Sequence, residues 1–163
     1  MKDFSIIQDT HEQQPWDLDM YITGWQMPQH MATGDYTILG YENDICIERK
    51  QSPSEIATNL GKRINRFERE LARMGTFRFR YIVCEFLQNK LIQFPKGLDL
   101  PKTAISNIRI GGKYLHKKLM ELSEDYGIEV FFCQNRHAAE EKAMELLDEA
   151  YTILNEEKTT ASD

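Results

Sequence analysis

The sequence has no run near 18 apolar residues and no apolar segment at its N-terminus. A membrane-spanning helix needs about 20 apolar residues, and a secretory signal peptide needs an apolar stretch close to the N-terminus. Neither a membrane partner nor secretion is therefore expected. We expect a soluble intracellular protein that is located in the cytoplasm.

Cysteine is scarce, and its spacing excludes the common zinc motifs. Cys46, Cys84 and Cys133 are far apart, and none has a second cysteine at the spacing of a zinc site. Each lies in an apolar run that is typical of a strand. We therefore expect buried free thiols in a reducing compartment.

The chain lacks the net positive charge of proteins that coat nucleic acids non-specifically. It carries 20 Lys and Arg against 26 Asp and Glu, which gives a formal net charge of −6. Non-specific coating depends on clustered cations that displace counterions from the phosphates. Residues 62–80 nevertheless have a local excess of basic residues, with Glu68 and Glu70 as the acids among them. This segment is a candidate phosphate-contact surface.

Four arginines of this segment recur every three or four residues and would form one stripe on a helix: Arg63, Arg66, Arg69 and Arg73. Two interpretations are open. The stripe is either a solvated helix face whose charges pair with Glu68 and Glu70, or a track that binds the DNA backbone.

At 163 residues the chain fits one domain with a full hydrophobic core. Hydrophobic periodicity predicts the order strand, loop, hairpin, helix, strand, helix, strand, helix. This order indicates an α/β fold with a mixed central sheet flanked by helices. We assign residues 1–154 to a single domain and residues 155–163 to a flexible C-terminal tail.

The helices have start signals that can be read from the sequence. The capping box Ser-Pro-Ser-Glu at residues 52–55 begins a helix, and apolar residues at helical spacing from Ile56 to Leu71 predict that it continues as one long helix. Residues 87–101 contain helix breakers and are predicted to form a loop. The helix predicted over residues 137–154 is amphipathic and would either complete the core or pair with a second copy of the chain.

Residues 34–48 are predicted to form a β-hairpin, because two β-favouring runs flank a turn-rich interval of hairpin length. If the turn is centred between Tyr41 and Glu42, Asp35 and Glu48 face each other across the pair, with Cβ atoms about 4.5–5.5 Å apart. Two carboxylates this close repel each other unless a cation lies between them, and oxygen ligands suit Mg²⁺ or Mn²⁺. The hairpin therefore predicts a site for a hard metal ion.

Lys50 lies two residues after Glu48, so its ammonium points to the same face of the strand, whereas Arg49 points to the other. Two acids and a lysine suit hydrolysis of a phosphodiester. A metal ion polarises the phosphoryl oxygen and lowers the pKa of a bound water, and the lysine orients that water or helps to deprotonate it. A second interpretation stays open, in which the charged triplet is a solvated strand end and Asp35 only stabilises the sheet.

Three short stretches together resemble a known family: Gly34-Asp35-Tyr36, Glu48-Arg49-Lys50 and Asp9-Thr10-His11-Glu12. They are similar to the nuclease domain of XPF-type structure-specific endonucleases, a branch of the restriction-endonuclease-like PD-(D/E)xK superfamily, over residues 4–150. The resemblance implies a restriction-endonuclease-like core with Mg²⁺ or Mn²⁺ as cofactor.

The resemblance also assigns roles to individual residues. It implies that Asp35, Glu48 and the backbone carbonyl of Arg49 bind the metal and that Lys50 acts in catalysis. The Arg49 side chain would contact phosphate or structure. Asp9 and Glu12 would border the active site.

The sequence departs from the family pattern at two positions. His11 stands where the family has an arginine between the two acids, and it carries a positive charge only when protonated. The family also places an aspartate four residues after the lysine, where this chain has Ser54. Glu55, one residue later, either replaces that acid or only caps the helix. The family's added helix-hairpin-helix module has no room here, so we expect a stand-alone nuclease core of a phage or prokaryotic type.

The first hypothesis is a Mg²⁺- or Mn²⁺-dependent DNA endonuclease, which is a phosphodiester hydrolase. The resemblance implies a preference for branched or flapped DNA in repair, recombination or replication, and a homodimer. The alternative is a nuclease-fold subunit that binds DNA or a protein partner without cutting. Cleavage of RNA also stays open, because no motif identifies contacts to the 2′-hydroxyl.

Overall fold

Six strands and six helices make up the computed structural model, which describes residues 1–162. The strands are β1 (Ile6–Gln8), β2 (Gln26–Pro28), β3 (Tyr36–Ile38), β4 (Ile45–Lys50), β5 (Phe79–Cys84) and β6 (Glu129–Phe132). The helices are α1 (Pro53–Leu60), α2 (Ile64–Met74), α3 (Gln88–Ile92), α4 (Lys102–Ser106), α5 (Gly112–Asp125) and α6 (Arg136–Ala161). A 3-10 turn at Asp19–Tyr21 precedes β2.

The strands form one mixed sheet in the order β2-β1-β3-β4-β5-β6. β1 and β2 are parallel, β3 is antiparallel to both of its neighbours, and β4, β5 and β6 run parallel to one another. Helices α1, α2, α3 and α5 cover one face of the sheet, and α6 covers the other. The predicted fold class, an α/β fold with a mixed central sheet flanked by helices, is confirmed.

The central strand β4 sends alternate side chains into two separate hydrophobic clusters. Ile45 and Ile47 pack in the cluster that α6 covers, whereas Cys46 packs in the cluster that α1, α2 and α5 cover. Side chains alternate along a strand, so Lys50 points towards the α1 and α2 face and Arg49 towards the α6 face. Their opposite directions agree with the sequence prediction.

The single long helix predicted over residues 52–71 is wrong, because α1 ends at Leu60 and α2 begins at Ile64. The N-cap is confirmed, since Ser52 Oγ accepts a hydrogen bond from the Glu55 N–H at 3.3 Å. Gly61 ends α1, and a Cβ at this position would lie 2.8 Å from the Ala57 carbonyl oxygen. Both helices keep their apolar residues towards the same cluster, so the hydrophobic spacing continues across the break and conceals it.

Two further boundaries differ from the predictions. The predicted loop over residues 87–101 contains α3, which the buried Leu91 anchors in the core. This helix is too short to show hydrophobic periodicity in the sequence. α6 continues to Ala161, so residues 155–161 of the predicted tail are helical. Extending an existing helix adds one hydrogen bond for each residue fixed, and this favours helix in a polar segment that has no packing signal. Asp163 lies outside the described residues.

The apolar face of α6 completes the core of this chain. Its buried residues belong to the same cluster as Ile45 and Ile47: Ala139, Ala143, Met144, Leu146, Leu147, Ala150 and Leu154. The alternative prediction, that this face pairs with a second copy of the chain, is therefore wrong. A homodimer would need another surface.

The three cysteines are buried free thiols, as the sequence predicts. Among residues 1–162, none of the helices combines the length and the apolar character that crossing a membrane would require.

Gly112→Ala should destabilise the fold by about 1–3 kcal/mol, because the added methyl group would overpack a helix contact. The Gly112 N–H donates to the Phe94 carbonyl oxygen at 2.8 Å, and a Cβ would collide with the carbonyl oxygens of Leu91 and Ile92. Gly111→Ala is the matched control, because a Cβ there would meet no atom within 4 Å. Urea unfolding measures both variants, and equal unfolding midpoints would contradict the packing of α3 on α5.

Candidate active site

One edge of the sheet brings the predicted site residues together. The carboxyl ends of β1, β2, β4 and β5 and the amino end of β3 lie at this edge, as follows from the strand directions. Asp9 follows β1, and Asp35 precedes β3. Glu48 and Lys50 lie among the last three residues of β4. The Asp9 N–H donates to the Asp35 carbonyl oxygen at 2.8 Å and ties two of these segments together.

Asp35 and Glu48 are neighbours across the β3 and β4 pair. Tyr36 pairs with Ile47, and the two acids come immediately before and after these residues. Asp35 Oδ2 accepts the backbone N–H of Arg49 at 2.7 Å, which fixes the carboxylate beside β4. The hairpin symmetry in the sequence predicts this neighbourhood.

Burial and neighbouring carboxylates raise the pKa of both acids. Burial, and then the charge of Glu48, raise the pKa of Asp35 well above its ordinary value. Burial, reinforced by the Glu70 carboxylate, raises the pKa of Glu48 to about 7 in spite of the Lys50 ammonium. Both acids therefore lie where a negative charge lacks sufficient compensation from the protein.

Lys50 is buried against Glu48 and an aromatic ring. Its Nζ donates to Glu48 Oε1 at 2.8 Å, lies 3.7 Å from Glu55 Oε1, and lies 5.2 Å from the centre of the Phe67 ring. Burial by itself would lower the pKa of Lys50, but the Glu48 and Glu55 carboxylates raise it above its ordinary value. Lys50 is therefore a charged ammonium at neutral pH.

The second carboxylate oxygen of Glu48 lacks a protein partner. Glu48 Oε2 is buried and accepts no hydrogen bond from residues 1–162. A buried carboxylate oxygen without a partner is costly, and Mg²⁺ and Mn²⁺ take oxygen ligands of this kind. The acids present therefore fit the divalent cation that the resemblance implies.

Arg49 occupies the opposite face of β4, where its side chain holds the structure together. It donates from Nη1 to Glu12 Oε2 at 2.7 Å and from Nε to Glu85 Oε1 at 2.8 Å. It also donates to the Gln14 carbonyl oxygen at 2.6 Å, and its guanidinium lies 5.2 Å from the Trp16 ring centre. Glu12 is thus a partner of Arg49 and lies outside the lining of the cleft, so the geometry gives it no direct contact with a substrate there.

Asp9 ends β1 as a buried carboxylate that protein donors hold in place. Its Oδ1 accepts the Met31 N–H at 2.8 Å, and its Oδ2 lies 2.9 Å from His11 Nδ1. Burial opposes ionisation, but the hydrogen bonds from Met31 and His11 outweigh it and lower the pKa of Asp9. Asp9 is therefore ionised at neutral pH, and it lines the same cleft as Asp35 and Glu48.

A cleft of about 360 Å³ opens at this edge of the sheet. Helix α2 and the residue before it supply one wall: Arg63, Arg66, Phe67, Glu70 and Arg73. Three of the four predicted DNA-contact arginines therefore reach the cleft. Arg69 is exposed but does not line it, because Glu70 occupies the place between Arg66 and Arg73 on this side of the helix.

Glu70 is a cleft residue that the sequence analysis did not predict as part of the site. It lines the cleft, and its charge is one of the causes that raise the pKa of Glu48. Its spacing to Arg66 and Arg73 would have placed it on the same helix face. The sequence signal was ambiguous, because an acid between arginines is equally typical of surface ion pairs.

Glu55 caps α1 and also lies beside Lys50. Its Oε2 accepts the Gln51 N–H at 2.9 Å at the start of α1, whereas its Oε1 lies 3.7 Å from Lys50 Nζ. Glu55 also lines the cleft. It therefore supports the helix terminus and adds negative charge beside Lys50.

A mixed sheet with two neighbouring acids and a lysine at one end, beside a cleft with a basic wall, is the arrangement that the resemblance to nuclease domains implies. The ERCC4 domain family matches residues 26–142, which is more than half of the chain, and the chain belongs to that family. The predicted XPF-type nuclease domain is thereby confirmed. No curated protein matches the sequence.

Solved structures of XPF from Aeropyrum pernix, alone and in complex with DNA, are similar to this chain. The TM-score is 0.62 for both, with 18% and 20% sequence identity over 88% and 91% of this chain. The chain spans 59% and 65% of the length of those two chains. At this identity the likeness shows that the fold is shared.

Arg49→Met should destabilise the protein by about 3–5 kcal/mol, because it leaves the Glu12 and Glu85 carboxylates without their buried cation. The Arg49 side chain is only 2% exposed. Arg78→Met is the matched control: Arg78 also pairs with an acid, Glu157, and also lies over an aromatic ring, but its side chain is 47% exposed. Thermal unfolding should show a large loss for the first variant and no measurable loss for the second.

Proposed function

We propose that this protein is a divalent-metal-dependent DNA endonuclease whose metal ligands are Asp35 and Glu48. The observation that carries this proposal is the pair of acids with raised pKa values beside the unpartnered Glu48 Oε2. A cation between the acids would supply the positive charge that the surrounding protein lacks. The family of the chain supports a nuclease, and the arginines of the cleft wall support a polyphosphate substrate.

Asp35, Glu48 and the backbone carbonyl of Arg49 would hold the Mg²⁺ or Mn²⁺ ion. When bound, the ion acts as a Lewis acid that polarises a phosphoryl oxygen and lowers the pKa of a coordinated water. Asp35 would offer Oδ1, because its Oδ2 already accepts the Arg49 N–H. Glu48 would offer Oε2, because its Oε1 accepts from Lys50.

Lys50 would position the attacking water and offset the charge that develops on the phosphate. Its raised pKa favours a permanently charged donor over a general base, since a base would have to lose its proton near neutral pH. Burial beside Glu48 and Phe67 restricts the ammonium to one place. A fixed charge of this kind stabilises a transition state without reorganising.

Glu55 and Glu70 are the two candidates for the additional acid that the family places after the lysine. Both line the cleft. Glu70 acts on the pKa of Glu48, the metal ligand, whereas Glu55 lies beside Lys50 and caps α1. The contacts therefore favour Glu70 as the acid closer to the metal and Glu55 as the acid that fixes the lysine.

Arg63, Arg66 and Arg73 would contact the DNA backbone along the α2 wall. A cleft with acids at its floor needs cations at its wall if a polyanion is to enter. The preference for branched or flapped DNA, a role in repair, recombination or replication, and a homodimer are parts of the same proposal that the family alone suggests. The chain spans under two thirds of its solved relatives, so these parts need the most direct tests.

Asp35→Asn and Lys50→Ala should each reduce cleavage at least about 10²-fold, because each removes a group that acts on the transition-state charge. The measurement uses labelled flap, fork, single-stranded and duplex DNA, and a matched RNA, with Mg²⁺, with Mn²⁺ and with EDTA. The ranking of the substrates measures selectivity, and equal rates for branched and linear DNA would remove the structure-specific part of the proposal.

Variants on α2 sharpen the same experiment. Glu70→Gln should lower the cleavage rate, whereas Glu68→Gln, on the same helix but away from the cleft lining, should not.

Asp35→Asn keeps an oxygen acceptor for the Arg49 N–H and removes a carboxylate that is costly to ionise. The metal-free variant should therefore melt no lower than the wild type at neutral pH. DNA binding without cutting under every condition would favour the alternative, a non-catalytic subunit.

Arg66→Ala should weaken DNA binding and reduce the slope of log K against log salt by about one, the change expected for one lost phosphate contact. Arg69→Ala is its control, because Arg69 lies on the same helix and is also exposed but does not line the cleft. Fluorescence anisotropy at several salt concentrations, with Asp35→Asn as the background to prevent cleavage, measures both variants. Equal effects of the two substitutions would argue against the α2 wall as the DNA path.

A further inference from the structure

A cluster of nitrogen donors lies in the cleft beside the acids. β1 and β2 run parallel with Gln8 opposite Pro28, so the segments that follow them leave the sheet at the same edge. The first segment contains Asp9 and His11, and the second contains His30. The topology therefore places two imidazoles and a carboxylate together although they are distant in sequence.

The three side chains are close enough to share one ion. Asp9 Oδ2 lies 2.9 Å from His11 Nδ1, and Asp9 Oδ1 lies 3.8 Å from His30 Nδ1. The two imidazole rings meet edge to face with their centres 5.8 Å apart. One ligand atom from each residue lies within 4.8 Å of the others.

The carboxylate of this cluster is fixed by the backbone. The Asp9 side chain is 9% exposed and accepts the N–H groups of His11 and Met31 at 3.3 and 2.8 Å. Met31 follows His30 directly, and the Gln29 N–H donates to the Gln8 carbonyl oxygen at 2.9 Å, so the histidine loop is attached to β1. Backbone donors to a ligating carboxylate are the kind of support that orients metal ligands.

The two imidazoles approach the carboxylate to different extents. His11 Nδ1 is at hydrogen-bond distance from Asp9, whereas His30 Nδ1 is within ion-pair distance but beyond hydrogen-bond distance. The imidazoles are 78% and 71% exposed, which leaves space for solvent ligands on the open side. One buried oxygen and two accessible nitrogens are the donor set of an open three-ligand site.

We propose that Asp9, His11 and His30 bind a transition-metal ion of the Zn²⁺, Co²⁺ or Ni²⁺ class. Imidazole nitrogen selects these ions over Mg²⁺, whereas the all-oxygen pair Asp35 and Glu48 suits Mg²⁺ or Mn²⁺. The cleft would then hold two sites of different chemistry. This proposal concerns binding and does not depend on the proposed nuclease activity. A bound ion would add positive charge near His11 at the rim of the cleft.

The test is a titration of the EDTA-stripped protein with Zn²⁺ by calorimetry and with Co²⁺ by absorption, both with excess Mg²⁺ present. The wild type should bind one equivalent, and the Co²⁺ spectrum should show nitrogen coordination. His11→Ala and His30→Ala should each lower the affinity by about 10- to 100-fold or more, since even supporting residues of metal sites cause losses of this size.

Two control variants separate this site from the rest of the protein. His116→Ala removes an imidazole that contacts Gln88 elsewhere in the structure, and Asp35→Asn removes a carboxylate of the other site. Both should bind Zn²⁺ like the wild type. Unchanged affinity in His30→Ala, or loss of binding in Asp35→Asn but not in His30→Ala, would overturn the proposal. Melting curves of the metal-free variants check that each is folded.

Discussion

The burial of three consecutive charged residues at the end of a central strand constrains the structure around them. Glu48, Arg49 and Lys50 are 6%, 3% and 2% exposed, respectively. A buried charge is costly unless it is paired and hydrogen-bonded. Because β4 alternates its side chains, the two faces of the sheet must each provide their own compensation.

On the α6 face, the buried charge of Arg49 is fully paired and hydrogen-bonded. On the α2 face, the buried charge of Glu48 is compensated only in part. Arg49 receives two carboxylates, a carbonyl oxygen and an aromatic ring, so the N-terminal segment and the end of β5 are tied to the centre of the sheet. Glu48 accepts a hydrogen bond from Lys50, but it has one unpartnered oxygen and the acidic neighbours Asp35 and Glu70. An excess of negative charge that the fold retains is the feature expected of a metal site, where the cation supplies the missing charge.

The same division places the charged residues around β4 in two different environments. Arg49 and Glu12 stabilise the scaffold on one side of β4. Asp35, Glu48 and Lys50 face the cleft on the other, where Arg66 and Glu70 approach from α2. The alternation of a single strand thus separates, within three residues, the charges that hold the scaffold from the charges that face the cleft.

The tertiary structure also determines which residues lie beside His11. His11 departs from the family pattern, and the sequence gives no reason for this change. Parallel pairing of β1 with β2 brings His30 beside it, and the two imidazoles share one buried carboxylate. No motif in the sequence links His11 to His30, because the strand pairing that brings them together joins separate segments.

The sequence alone determined the fold class, the hairpin that makes Asp35 and Glu48 neighbours, and the opposite directions of Lys50 and Arg49. These features follow from local rules, because a strand has a period of two and a short hairpin fixes its own register. Only the tertiary structure decided the break at Gly61, the helix α3, the place of Glu70 beside Glu48, and the removal of Arg69 and Glu12 from the cleft. These features depend on contacts between elements distant in the chain, and residue spacing within one element carries no record of such contacts.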